Sequence, residues 1–208
     1  MASEKPTSRV RETSKVEILV RHVELEGIQD VMFDRYAGDN NTQLEPWQKL
    51  YFASDGKTLT LPSRNLMSFL SAHNTNSAPK RLLDKRKFKD AANACLSFVS
   101  IGPTQIPFLR EGQPITFGKF EIINGQEVDK QSGVYVDRAV ARLDKGIPNP
   151  KIRPVLPLPW SLAFTLTLYP NKEITEQQVM NLIEGGGLAL GIGTWRGVFG
   201  KFRIASWE

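Results

Sequence analysis

The segment WSLAFTLTLYP limits the possible folds more than any other part of this chain. Apolar and small or polar side chains alternate through it, which is the period of a strand with one buried face. The buried face predicted by this pattern carries Leu162, Phe164, Leu166 and Leu168. The sequence therefore predicts a strand with one face packed against a core, and other elements of the chain must pack on that face.

The residues that follow predict a helix and a second strand. Thr175 is an N-cap candidate with Gln178 three residues later, an apolar stripe follows, and Gly185 is expected to stop the helix. After a glycine-rich stretch, VFGKFRIASW again has the composition of a strand. The C-terminal order is thus strand, helix, strand.

The front half predicts the same order. Val16 to Leu25 reads as a first strand, in which Val16, Ile18 and Val20 form the apolar series. Residues 27–56 are predicted to form a long irregular segment with short elements at most. Ser63 precedes an amphipathic helix predicted at about 64–72. ACLSFVSIG reads as the next strand.

Two such units predict an α+β, ferredoxin-like (RRM-like) fold, an antiparallel sheet with helices on one face. With 208 residues and 40% apolar content, we expect one domain, with core segments of about 16–102 and 115–206. A basic β-hairpin arm is predicted at about 133–153, where GVYVDRAVARL precedes a proline-rich loop.

Composition excludes several classes of protein. The single cysteine, Cys95, excludes an internal disulfide and a cysteine-based zinc cluster. The polar start and the short apolar runs predict a cytoplasmic protein with no secretory signal and no membrane contact. No motif calls for a cofactor or a metal. The net charge of +5 favours an anionic partner.

The glycine-rich stretch 185–202 is the main functional candidate. Gly191, Gly193 and Gly197 let backbone amides approach phosphates, while Trp195 offers a face for base stacking and Arg196 a planar cation. The glycines follow a helix and lack a Gly-Lys-Ser/Thr sequence, so this is neither a dinucleotide fingerprint nor a P-loop. The alternative is that the glycines only make tight turns and Trp195 packs in the core.

Basic residues elsewhere extend this hypothesis, because phosphate contacts give sequence-independent affinity. KRLLDKRKFKD carries six basic and two acidic side chains, although such a run is also typical of a solvated helix face. The nucleic-acid contacts predicted from sequence are Gly191, Gly193, Trp195, Arg196, Gly197, Lys201, Lys85, Arg86, Lys87, Lys89, Arg138, Arg142 and Arg153.

The sequence GIGTWRGVFGKF, after a helix and before a strand, resembles the glycine-rich loop of the repeat-associated (RAMP) superfamily of CRISPR proteins. TLTLPSRNLMSFLSA is similar to the strand-to-helix entry of that superfamily's backbone subunits. The resemblance implies a protein that binds RNA across its sheet, packs against copies of itself along the strand and uses the arm as a thumb. It also implies other subunits of a ribonucleoprotein complex.

The same resemblance suggests catalytic candidates. Some relatives carry a metal-assisting acidic residue after the first strand, where Asp30 and Asp34 lie, and others use a histidine near the first helix, where His73 lies. The structural alternatives are local pairing of Asp34 with Arg35 or Arg21, and solvation of His73.

The function predicted from sequence is non-catalytic binding of single-stranded RNA or DNA by a chain that oligomerises along the strand. Two alternatives stay open. One is a metal-dependent endoribonuclease of the same superfamily, and the other is a structural or interaction protein of a phage that binds no nucleic acid.

Overall fold

The computed structural model of this chain describes residues 17–39, 42–71, 88–142 and 148–208. In chain order the strands are β1 (Leu19–Gly27), β2 (Val31–Met32), β3 (Thr60–Pro62), β4 (Val99–Gly102), β5 (Gln105–Arg110), β6 (Gln113–Pro114), β7 (Glu121–Ile123), β8 (Gln126–Val128), β9 (Tyr135–Arg142), β10 (Pro148–Leu156), β11 (Ser161–Leu168) and β12 (Phe202–Trp207). The helices are α1 (Ser63–Ser71), α2 (Phe88–Phe98) and α3 (Glu176–Ala189), with a 3-10 helix at Pro46–Lys49.

The main sheet has the order β12-β1-β11-β5-β3, with β4 on the same edge of β11 as β5 and β6 against β5. Its paired strands are antiparallel. The order of β1, the two front helices, β4, β11, α3 and β12 gives the ferredoxin-like arrangement, in which the first strand lies between the third and the last. The predicted α+β fold class is confirmed.

The core lies between the main sheet and its helices. All four predicted side chains of β11 are buried, and the helices contribute Leu66, Phe69, Leu70, Val179, Leu182 and Ile183. The predicted N-cap of α3 is present, since Thr175 Oγ1 accepts from the Gln178 amide at 3.3 Å and the Gln178 side chain accepts from the Thr175 amide at 2.8 Å. The cap fixes where α3 starts, and the apolar stripe fixes which face it buries.

A second sheet, ordered β2-β10-β9-β8-β7, contains the predicted arm. β9 and β10 pair in register from Tyr135 with Val155 to Arg142 with Pro148, which confirms the β-hairpin. β2 pairs with the base of β10, so residues just after β1 join the arm to the main sheet.

The predicted apolar face of β1 is wrong. Ile18 and Val20 are exposed, whereas Val23 and Leu25 are buried in the core. Side chains alternate along a strand, so the helices cover the odd-numbered positions. The sequence pattern misleads here because the exposed face of the strand also begins with branched apolar residues.

The predicted end of α3 at Gly185 is also wrong, since the helix continues to Ala189. Gly187 lies against β12, and a Cβ there would sit 2.6 Å from the carbonyl oxygen of Phe202. Glycine at 187 therefore lets the helix approach the last strand, and the glycines do not end the helix.

Two further boundaries differ from the prediction. The segment ACLSFVSIG is helical through Phe98, and only Val99–Gly102 forms the strand. Residues 103–114, left out of the predicted core segments, contain β5, which pairs with β11 in the main sheet. That the whole chain forms one domain stays a prediction.

Candidate nucleic-acid interface

The loop between α3 and β12, residues 190–201, is folded tightly back on itself, and we call it the glycine loop. Three of its glycines have positive φ and touch backbone: a Cβ at Gly200 would lie 2.0 Å from the Ile192 carbonyl oxygen, and one at Gly193 2.4 Å from that of Met32. A Cβ at Gly191 would lie 2.5 Å from the carbonyl of Gly200. Close backbone packing explains these glycines. Gly197 differs, because its positive φ (+92°) is accompanied by open space.

Several glycine amides already have acceptors within the protein. The amide of Gly191 donates to the Gly186 carbonyl (3.1 Å), that of Gly197 to Leu190 (2.6 Å) and that of Gly200 to Asp30 (2.7 Å). The sequence hypothesis had the amides of Gly191, Gly193 and Gly197 facing a phosphate, and two of them, those of Gly191 and Gly197, are bonded within the protein. A phosphate could take them only by replacing these bonds.

The side chains of the glycine loop face outward at its tip. Trp195 is 44% exposed, has φ +52° and lies 6.1 Å from the Phe199 ring between centroids. The alternative in which Trp195 packs in the core is therefore wrong. Arg196 is partly buried, its Nε donates to the Gly193 carbonyl (3.3 Å), and burial lowers the pKa of its guanidinium. Lys201, five residues later at the end of the loop, is half-buried.

Asp30 connects the glycine loop to the arm. Its carbonyl accepts the Gly200 amide, its Oδ2 accepts the Tyr135 hydroxyl (3.1 Å), and its Oδ1 accepts the Leu158 amide (3.0 Å). Burial, and then the Asp30 charge, raises the pKa of Tyr135 to about 12. Protein donors thus use both carboxylate oxygens of Asp30.

Asp34 is held by cations from two other segments. Arg153 on β10 donates to it at 2.7 Å, and Lys49 lies 3.6 Å away. The predicted local partners were wrong, since Arg21 instead pairs with Glu176. In the ranges that the structure describes, no group of three acidic, histidine or cysteine side chains is placed to hold a metal ion.

Two of the three cations predicted on the arm already form ion pairs within the protein. Arg153 is only 14% exposed beside Asp34, and Arg138 forms an ion pair with Glu127. The side chains of Lys89 and Arg142 lie outside the described part of the chain, as do His73, Lys85, Arg86 and Lys87. Their roles stay predictions.

A groove that the sequence did not predict is lined by residues within 34–39 and 42–52, and residues 149–152 of β10 line its larger part; we call it the aromatic groove. It consists of two adjoining cavities of about 720 and 290 Å³. Tyr36 and Trp47 line it and are 65% and 50% exposed. The excursion at 27–56 was recognised as a long irregular segment, and its exposed aromatic and basic residues are the signal that could have located this groove.

The face of the main sheet that points away from the helices has a different character. Glu24 and Glu208 line a cavity of about 440 Å³ there with His22, and Glu26 on the same face of β1 pairs with Arg203 at 2.6 Å. This open face is rich in carboxylates, whereas the glycine loop carries cations.

Comparison with solved structures finds chains with a similar fold. No family model matches the chain, and no curated protein is similar to it in sequence. The described helices include none with the length and apolar character that a bilayer span requires. A chain from the cryo-EM structure of the Type III-B Cmr-beta bound to cognate target RNA is similar to this one, with a TM-score of 0.50 and 11% identity over 92% of this chain. The present chain spans 60% of the length of that one, and the similarity is one of fold.

Proposed function

We propose that this chain is a non-catalytic RNA-binding subunit of a CRISPR-type ribonucleoprotein, related to the RAMP superfamily, that assembles with copies of itself along a single strand. The observation that carries the proposal is the position of the glycine loop. It lies between the last helix and last strand of a ferredoxin-like sheet, and it contacts the base of a β-hairpin arm through Asp30 and Met32. The similar fold of a chain from an RNA-bound Cmr-beta supports it.

The strand is proposed to bind at the glycine loop and not across the open face of the sheet. Glu24 and Glu208 would repel phosphates on that face, where Arg203 is already paired with Glu26, whereas Arg196 and Lys201 supply cations at the loop. The exposed indole of Trp195 adds a stacking surface. This location departs from binding across the sheet, which the sequence resemblance implied.

The proposal contains no cleavage step. Asp30 and Asp34 are both occupied by hydrogen bonds or ion pairs from the protein itself. A structural role in joining the arm to the sheet accounts for both side chains, so they favour no second function.

The test is the salt dependence of oligonucleotide binding. The double variant Arg196→Ala, Lys201→Ala should bind single-stranded RNA more weakly whatever its sequence, and the slope of log affinity against log salt should become shallower by about 1.4, at ~0.7 for each phosphate that is no longer neutralised. The matched control is Arg64→Ala, Lys172→Ala, which removes the same charge from exposed positions on α1 and after β11. Equal affinity and slope for wild type and the loop variant would refute the proposal.

Assembly along RNA is tested separately by sizing the purified protein before and after nuclease treatment. An oligomer that carries RNA and dissociates on digestion is expected. A nuclease-resistant oligomer that contains no nucleic acid would favour an interaction protein instead.

A further inference from the structure

We propose that the aromatic groove holds unstacked bases of the bound strand, with Trp47 as the stacking surface, while Arg196 and Lys201 hold its phosphates. This inference rests on the proposed function and assigns it a second contact region. The two cavities share Arg35, Tyr36, Ala37 and Leu44, so they form one continuous groove, and its larger part runs along the edge of the arm.

The charge of the groove suits bases better than phosphates. The larger cavity has three cationic and three anionic side chains: Arg35, Lys49, Lys151, Asp34, Asp39 and Glu45. Such a balanced lining gives a polyanionic backbone little net attraction. Neutral, flat bases gain from stacking instead, which tolerates any base because every base has a π-face.

Trp47 is held in place before any ligand binds. It lies in the 3-10 helix that starts at Pro46, and Glu45 and Gln48 form a capping box around that start. Lys49, two residues later, donates to the Ile152 carbonyl of β10 at 2.5 Å, and its own carbonyl accepts the Arg35 amide at 3.3 Å. The backbone that carries the exposed indole is therefore fixed before any ligand binds, and the turn does not have to be ordered on stacking.

The groove begins within a short distance of the glycine loop. The Thr194 amide donates to the Met32 carbonyl at 2.9 Å, and Arg35 at the mouth of the groove is three residues further on. Three residues span at most about 10 Å when fully extended. A strand covers that distance with roughly three stacked nucleotides at ~3.4 Å each. One strand can therefore reach both regions.

The experiment compares Trp47→Ala with Trp47→Phe and with Tyr169→Ala as the matched control. Tyr169 is similarly exposed (43%) but follows the far end of β11, about 30 Å of strand away from Trp160, whose indole donates to the Gln29 carbonyl beside the glycine loop. Binding is measured with a uridine homopolymer and with an abasic strand of the same length. Folding of each variant is checked by its melting temperature.

Trp47→Ala should weaken homopolymer binding about 5- to 150-fold, from ~1 to 3 kcal/mol of stacking, and leave the salt slope unchanged. The phenylalanine variant should recover most of the affinity, the Tyr169 variant should match wild type, and Trp47→Ala should not change binding of the abasic strand.

The outcomes separate this inference from the proposed function. If the loop variant loses affinity and slope but Trp47→Ala binds the homopolymer like wild type, the groove assignment is wrong and the proposed function stands. If Trp47→Ala weakens the abasic strand equally, the indole does not act by stacking. If wild-type protein binds neither strand, both proposals are wrong.

Discussion

The structure predicts that two glycines of the same loop, Gly200 and Gly197, respond very differently to alanine. Both have positive φ, +74° and +92°, which costs a residue with a side chain about 1–2 kcal/mol. Only Gly200 also has backbone in the way, because its Cβ would lie 2.0 Å from the Ile192 carbonyl oxygen. That clash cannot relax by turning a side chain.

Making room at Gly200 means moving two backbone hydrogen bonds. These are the Ile192 amide to the Gly200 carbonyl (2.9 Å) and the Gly200 amide to Asp30 (2.7 Å), each contributing about 0.5–1.5 kcal/mol. Gly200→Ala is therefore expected to lower the free energy of unfolding by about 2–5 kcal/mol. Gly197→Ala should lower it by only ~1–2 kcal/mol.

The assay is equilibrium denaturation in guanidinium chloride, with the midpoint and slope fitted for wild type and both variants. A lower midpoint with an unchanged slope reports a loss of native stability. If Gly200→Ala is no more destabilised than Gly197→Ala, close packing is not what requires glycine at 200.

The same two variants also test the role of the glycine loop in RNA binding. A methyl group in the open space at Gly197 should reduce RNA affinity in a folded protein, and unchanged affinity would restrict that glycine to making a turn.

Three further outcomes are expected. Arg153→Ala should lower the free energy of unfolding by about 1–3 kcal/mol, because the bond to Asp34 is removed, and should change the salt slope of RNA binding little. The loss should be smaller in an Asp34→Ala background, and additive losses of stability in the double variant would contradict the pairing. The hydrogen bond from Arg21 lowers the pKa of Glu176, so stability from this carboxylate is present above its ordinary pKa and lost as pH falls through the lowered one. Wild type and Glu176→Gln should therefore differ in unfolding free energy at pH 7, and the difference should shrink as the pH falls below the ordinary pKa of the carboxyl; a difference that does not change with pH would contradict this. Burial raises the pKa of Cys95 to about 11, so its thiol should resist alkylation at pH 8 in native protein and react in denaturant.

Particular elements show how much of the fold can be predicted from the sequence. The alternation in β11 and the Thr175 cap were enough to place a strand and the start of a helix, because both signals are local. The end of α3 was not predictable, since the reason for glycine at 187 is its close contact with Phe202, fifteen positions later, which the local sequence does not show. The prediction of the buried face of β1 was wrong for a similar reason, because the helices that pack on the sheet decide which face of the strand is buried.

The candidate site also contains residues that the local sequence located and residues that it did not. Composition drew attention to Trp195 and Arg196, and both lie at the surface of the glycine loop. The engagement of Arg153 with Asp34 joins residues 119 positions apart and has no local signal. Trp47 was missed because an irregular segment shows no period, and the cavity that it lines forms only where residues 35–37 and Phe52 come together with it in the fold.

The segment at Asp30–Met32 decides how these parts act together. The carbonyl of Met32 accepts an amide from the glycine loop, while the same residue pairs with Val155 at the base of the arm. Asp30 likewise bonds to Gly200 with its carbonyl and to Tyr135 of the arm with its side chain. A shift of the loop must therefore strain β2 or carry the arm with it. Because interfaces so closely packed deform little, the spacing between loop cations and groove is set by the fold itself before any strand binds.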